Sequence, residues 1–155
     1  QDSSSITSVV YSPCGRYVLC GLSSNSSAAS KNLDSTNGES GTSTNESKIQ
    51  AKIHLWDLQE RRLVKEYVGH PQTKYVLRPC FSEYPRRIFV CCGGENGGVY
   101  VWNTDDGTLL PDMPLTGHVS TVNSVCWNPR SQIMASASDD GTVRVWARID
   151  RVKEL

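Results

Sequence analysis

The chain has no surplus of charge of either sign. Its 155 residues carry 16 basic and 16 acidic side chains, a formal net charge of zero. Bulk attraction to a nucleic-acid backbone or an anionic membrane surface is therefore excluded as a mode of action. Long apolar runs are lacking too. No stretch approaches the roughly 18 residues that a membrane-crossing helix needs, and the opening QDSSS has no signal-peptide character. No Cys-x-x-Cys pair occurs among Cys14, Cys20, Cys80, Cys91, Cys92 and Cys126, and His54, His70 and His118 are scattered singly. That pattern excludes the usual zinc spacings. Most of the cysteines sit in apolar strand patterns and read as buried thiols in a reducing compartment. No cofactor or metal is expected.

What is present is repetition. Residues 133–146, IMASASDDGTVRVW, read as strand, tight turn, strand, with Asp139-Asp140-Gly141 as the turn and β-branched Val143 and Val145 alternating beyond it. The same strand ending recurs as YVW at Trp102 and HLW at Trp56, so the tryptophans stand 46 and 44 residues apart. Gly69-His70 recurs as Gly117-His118, 48 residues on. A four-stranded unit of about 40–45 residues, with Gly-His near its start and Trp-Asp near its end, is the pattern of a propeller blade.

Taken in order, residues 6–12 and 17–22 read as the first two strands, with Pro13-Cys14-Gly15 as the turn between them. Residues 23–48 are almost wholly Ser, Asn, Thr, Gly and charge, with Leu33 as the one large apolar side chain. Such a segment cannot bury enough surface to offset its ordering entropy, so a solvated, disordered insertion is expected. Strands follow at 53–58 and 63–68, then at 75–81, 88–92, 98–102 and, more weakly because of Pro111 and Pro114, at 109–115. The last set is 121–127, 133–138 and 142–147. The expectation is an all-β chain of three blades. Blade one spans 6–68 with the insertion at 23–48, blade two 75–115 and blade three 121–147, with a tail at 148–155. Propellers typically have about 4–8 blades. Three make an incomplete ring, and the chain reads as a fragment of a longer one whose upstream blades are not included.

The spacing of Gly-His and Trp-Asp resembles the WD-repeat family. The resemblance implies a buried hydrogen-bond tetrad in blade three, formed by His118, Ser136, Asp140 and Trp146. Buried polar groups that tie a blade's strands to its loops must be paired. Blade two departs from the pattern, keeping His70 and Trp102 but placing Cys92 and Asn96 at the serine and aspartate positions. Blade one keeps Trp56 and has Cys20 at the serine position. These two are expected to depend on apolar packing from Ile53, Leu55, Val99 and Val101. A Ser–His–Asp chain also describes a hydrolase triad. Ser136 lacks the Gly-x-Ser-x-Gly elbow and Trp146 would cap it, so no catalytic residue is expected and the chain does not read as an enzyme.

Residues 53–70 (IHLWDLQERRLVKEYVGH), 74–81 (KYVLRPCF) and the final blade are together similar to the C-terminal blades of the propeller subunits of CTLH-type (glucose-induced-degradation) ubiquitin ligases. That resemblance implies a non-catalytic scaffold in the cytoplasm, with the nucleus as a further compartment. Its partners would be proteins, namely ligase subunits and degradation substrates, with no nucleic acid, membrane or small-molecule substrate. Homo-oligomerisation of the full-length protein is left open. The alternative is a WD-repeat scaffold of RNA-processing or chromatin complexes, which a basic, aromatic-rich stripe would favour. Only Arg61-Arg62 and Arg86-Arg87 cluster. Family contact positions carried onto this sequence give a protein-binding face of Ser5, Thr7, Tyr75, Leu77, Glu95, Thr121, Asn123 and Asp139. Tyr75 and Leu77 are expected side by side on one strand face. Glu95 and Asp139 suggest a partner segment with basic and apolar side chains.

Overall fold

A computed structural model describes residues 4–24, 51–83 and 87–147. Among them the chain is all β, in three antiparallel sheets. The first sheet has the order β1-β2-β3-β4, from β1 (Ser4–Tyr11), β2 (Tyr17–Ser24), β3 (Lys52–Asp57) and β4 (Arg62–Val68). The second is β5 (Cys80–Glu83), β6 (Ile88–Gly93) and β7 (Val99–Asn103). The third is β8 (Val122–Asn128), β9 (Ile133–Ser138) and β10 (Val143–Trp146). The expected insertion and tail fall mostly or wholly outside the described residues, except that β2 runs on through Ser24, past the expected boundary at 22.

Each meander follows from local sequence. Alternation along β3 buries Ile53 and Leu55 on one face. Asp57, the aspartate of the Trp-Asp pair, then stops the strand. Its carboxylate accepts from the Gln59 and Glu60 amides at 2.8 and 3.0 Å and from the Arg16 side chain at 2.8 Å. That guanidinium, with the amides, holds the Asp57 carboxyl below the usual carboxylate range. The β9–β10 turn closes through Gly141, whose φ of 79° is left-handed and whose surroundings are open. Glycine is needed there for conformation and not for space. At Gly93 the reason is space, since a Cβ would collide with Val122 of the next sheet.

Two expected strands need correction, both in blade two. The first strand does not occupy 75–81; it begins at Cys80. Pro79 has no amide proton to donate to a ladder, and Arg78 instead bridges to Ser124 of the third sheet, its amide donating to Asn123 O at 3.0 Å. The fourth strand at 109–115 reduces to isolated bridges, Trp102 to Leu109 and Val99 to Leu115. Pro111, Pro114 and a left-handed Asp112 interrupt what lies between them.

The sheets stack face to face over two apolar layers. Leu19, Ile53, Leu55 and Tyr67 of the first sheet meet Phe81, Val90, Cys92, Tyr100 and Trp102 of the second, with Leu77 from the connecting loop. Cys91, Val99 and Val101 then meet Val122, Val125 and Met134 of the third. Each large side chain fully buried there contributes about 1.5–3 kcal/mol. On the outer face of the first sheet Val18, Cys20 and Leu22 form a small buried cluster of their own. Ile6, Val9 and Tyr11 of β1 and Val143 and Val145 of β10 are exposed. The thiols divide likewise: Cys20, Cys91 and Cys92 are buried and Cys80 is partly so. Cys14, in the first turn, and Cys126, on the open face of the third sheet, are exposed, contrary to expectation.

Candidate functional site: the blade tetrad and the rim of loops

In blade three, β9 supplies Ser136, β10 supplies Trp146, the β9–β10 turn supplies Asp140, and His118 stands in the loop before β8. Trp146 Nε1 donates to Ser136 Oγ at 2.8 Å. That oxygen lies 2.8 Å from His118 Nε2, and His118 Nδ1 lies 2.8 Å from Asp140 Oδ2. One proton arrangement satisfies all four groups: Ser136 donates to Nε2 and Nδ1–H donates to the carboxylate. Asp140 also accepts from the Thr142 hydroxyl and amide and from the Val119 amide. The Thr142 hydroxyl first, then His118 and the amides, outweigh desolvation and hold its carboxyl well below the usual range. Ser136 is 2% exposed, with the indole seated on its oxygen. The hydroxyl is therefore turned inward and not presented to a substrate.

Blade two places the corresponding residues differently. His70 and Trp102 are neighbours, edge to face with ring centroids 5.5 Å apart, yet neither His70 nitrogen has a hydrogen-bond partner among the described residues. Trp102 Nε1 donates to Val68 O at 2.9 Å instead. Asn96 turns to the Tyr100 hydroxyl and the Gly98 amide. Cys92 is buried, and burial pushes its thiol up. Burial likewise lowers the His70 imidazole to about 4. What replaces the polar chain is an aromatic cluster: Tyr100 stacks on Trp102 at 6.0 Å, and Tyr67 of β4 packs against the same indole at 6.2 Å. Sequence reasoning passed over Tyr100 and Tyr67. Their signal was available, because Tyr100 of YVW stands where blade three has Arg144 and blade one His54. In blade one, Cys20 is buried beside His54 in the register, and Trp56, opposite Val18, is 36% exposed. Ile53, Leu55, Val99 and Val101 all lie in the apolar layers.

Among the residues assigned to the protein-binding face, hydrogen bonds join Tyr75 to Glu95, and Thr121 and Asn123 to Asp139. Tyr75 is 41% exposed, but Leu77, two residues on, is 1% exposed and belongs to the core. The expected pairing of the two on one strand face fails because residues 75–79 form no strand, and Leu77 offers a partner nothing. Thr121 is buried as well, its carbonyl taken by the Asp139 amide. Asn123 donates to the exposed Asp139. Ser5 is exposed, and Thr7 donates to Gly21 O.

Glu95 has a different part from the one expected. Its carboxylate accepts from the Thr73 amide and hydroxyl at 2.9 and 2.6 Å and from the Lys74 and Tyr75 amides at 2.6 and 2.8 Å. Desolvation opposes its charge, but these bonds win and hold the carboxyl below its usual range. Gln72 Nε2 donates to Tyr75 O at 2.8 Å from the other side. The loop before β5 is thus fastened at both ends, and Lys74, Tyr75 and Val76 stand out from it.

A chain built this way is a WD-repeat array of the propeller type. The family model for the WD domain, G-beta repeat, matches residues 1–28 and 111–147. Over 108 residues the chain is 36% identical to a WD repeat-containing protein 26 homolog of Arabidopsis thaliana, covering 68% of this chain and 18% of that one. Over 97 residues it is 40% identical to GID complex subunit 7 of Schizosaccharomyces pombe, 62% of this chain and 18% of that one. A WD repeat-containing protein WDS homolog of Arabidopsis thaliana is 44% identical over 97 residues, 61% and 18%. The chain thus spans under a fifth of the length of these curated relatives. None of the three names is that of an enzyme.

Proposed function

We propose that this chain is part of the propeller of a non-catalytic scaffold in a CTLH-type ubiquitin ligase, recruiting degradation substrates or joining ligase subunits through its rim of loops. The observation that carries the reading is the 40% identity to GID complex subunit 7 over 97 residues, 62% of this chain. The inward-turned Ser136 supports the absence of chemistry, since its hydroxyl serves the blade. On this reading the docking residues are Ser5, Thr7, Tyr75, Asn123 and Asp139, and the protein works in the cytoplasm and nucleus. The test is affinity purification of the complete protein followed by mass spectrometry of what accompanies it. Co-purification of a RING-type ligase core is expected. Stable co-purification with an RNA-processing or chromatin assembly, without ligase subunits, would overturn it.

A further inference from the structure

The rim's charges are not arranged as their residue types suggest. Glu95 spends its carboxylate on three amides and a hydroxyl of its own loop. Asp140 spends both oxygens on His118, Val119 and Thr142, and Asp139 takes the Asn123 amide. Lys74 and Arg78, by contrast, are exposed and form no ion pair among the described residues. Between them stand Tyr75 and Val76, each two-fifths exposed, with the Lys74 ammonium 5.0 Å over the Tyr75 ring. Two free cations thus flank an apolar, aromatic step on a loop held rigid by Glu95 and Gln72. A rigid anchor loses little entropy when a partner docks, and aromatic side chains dominate such sites.

We infer that residues 74–78 form a preorganised docking tip for a protein segment that carries acidic side chains beside an aromatic or aliphatic one. This rests on the rim being the docking face, and it reverses the partner charge that Glu95 and Asp139 suggest by residue type alone. Acidic side chains would meet Lys74 and Arg78 while the apolar one packs on Tyr75 and Val76. Glu95 acts as a positioning residue without touching the partner.

The experiment is selection of a random 12-residue peptide library against the immobilised complete protein and two variants, Tyr75→Ala and Lys74→Glu/Arg78→Glu, with thermal melts of each. Selected peptides should be net acidic with at least one aromatic or aliphatic residue. Tyr75→Ala and the double charge reversal should each lower their binding by about tenfold or more. Basic or neutral peptides that still depend on Tyr75 would overturn the inference and leave the docking face standing. Peptides indifferent to Tyr75→Ala, or no enrichment over bare support, would overturn both.

Discussion

Blades two and three carry the same Gly-His and the same strand-ending tryptophan, and they use them for different physics. In blade three the two residues are ends of a polar relay, with Ser136 between them and Asp140 beyond. In blade two the serine has become Cys92 and the aspartate Asn96, and His70 and Trp102 meet as rings in an apolar cluster. A propeller blade must satisfy or avoid buried polar groups. Blade three satisfies those of its tetrad, whereas blade two moves the indole N–H to a backbone carbonyl and leaves an imidazole uncharged among aromatics. The lesson is that His and Trp at repeat spacing mark a blade but not the interaction that holds it.

The contrast can be broken most forcefully at the indoles. Trp102 is almost wholly buried, so Trp102→Ala in the complete protein should cost about 3–5 kcal/mol in denaturant unfolding. Trp146, only half-buried where it packs against the layer between the second and third sheets, should cost less.

Next is pH. His70 is held near 4 in the folded state against roughly 6.5 unfolded, so between those values the unfolded chain binds more protons and stability rises with pH. Acidification from pH 7 to 4 should remove up to about 3 kcal/mol through this group, and His70→Phe should abolish that part. Asp140 acts lower. Its depressed carboxyl stabilises the fold above the unfolded value near 4, and the contribution is lost as pH falls further, a second decline that His70→Phe leaves intact.

Ser136→Ala leaves His118 Nε2 and the Trp146 indole unpaired and should cost about 1–3 kcal/mol. Cys92→Ala removes no hydrogen bond of that kind and should cost only its lost packing. The smallest expected effect is Gly141→Ala, about 1 kcal/mol from the left-handed turn alone, since there is room for the methyl group.

Much of this was legible in the residues. Alternation and turn chemistry mark β9 and β10 to within a residue, because Asp-Gly and β-branched pairs act locally. The residues of the blade-three tetrad are those that the resemblance to the WD-repeat family implies. What spacing could not carry was competition from the neighbouring blade. Arg78 leaves its own sheet to bond Asn123, which shortens β5 and drops Leu77 into the core. Glu95 reads as an exposed acid, and only the folded loop reveals three amides pointing at it. Tyr100 was visible in YVW, but its stacking on Trp102 depends on β7 facing the first sheet.

The central claim is that blade three couples its histidine to the serine position through a hydrogen bond whereas blade two does not couple its own to Cys92. Paired double-mutant cycles on the complete protein measure this: His118→Phe with Ser136→Ala, and His70→Phe with Cys92→Ala, each read by equilibrium unfolding. The account predicts a coupling of about 1 kcal/mol or more for the first and below about 0.5 kcal/mol for the second. Equal couplings, or the larger one in blade two, would contradict it.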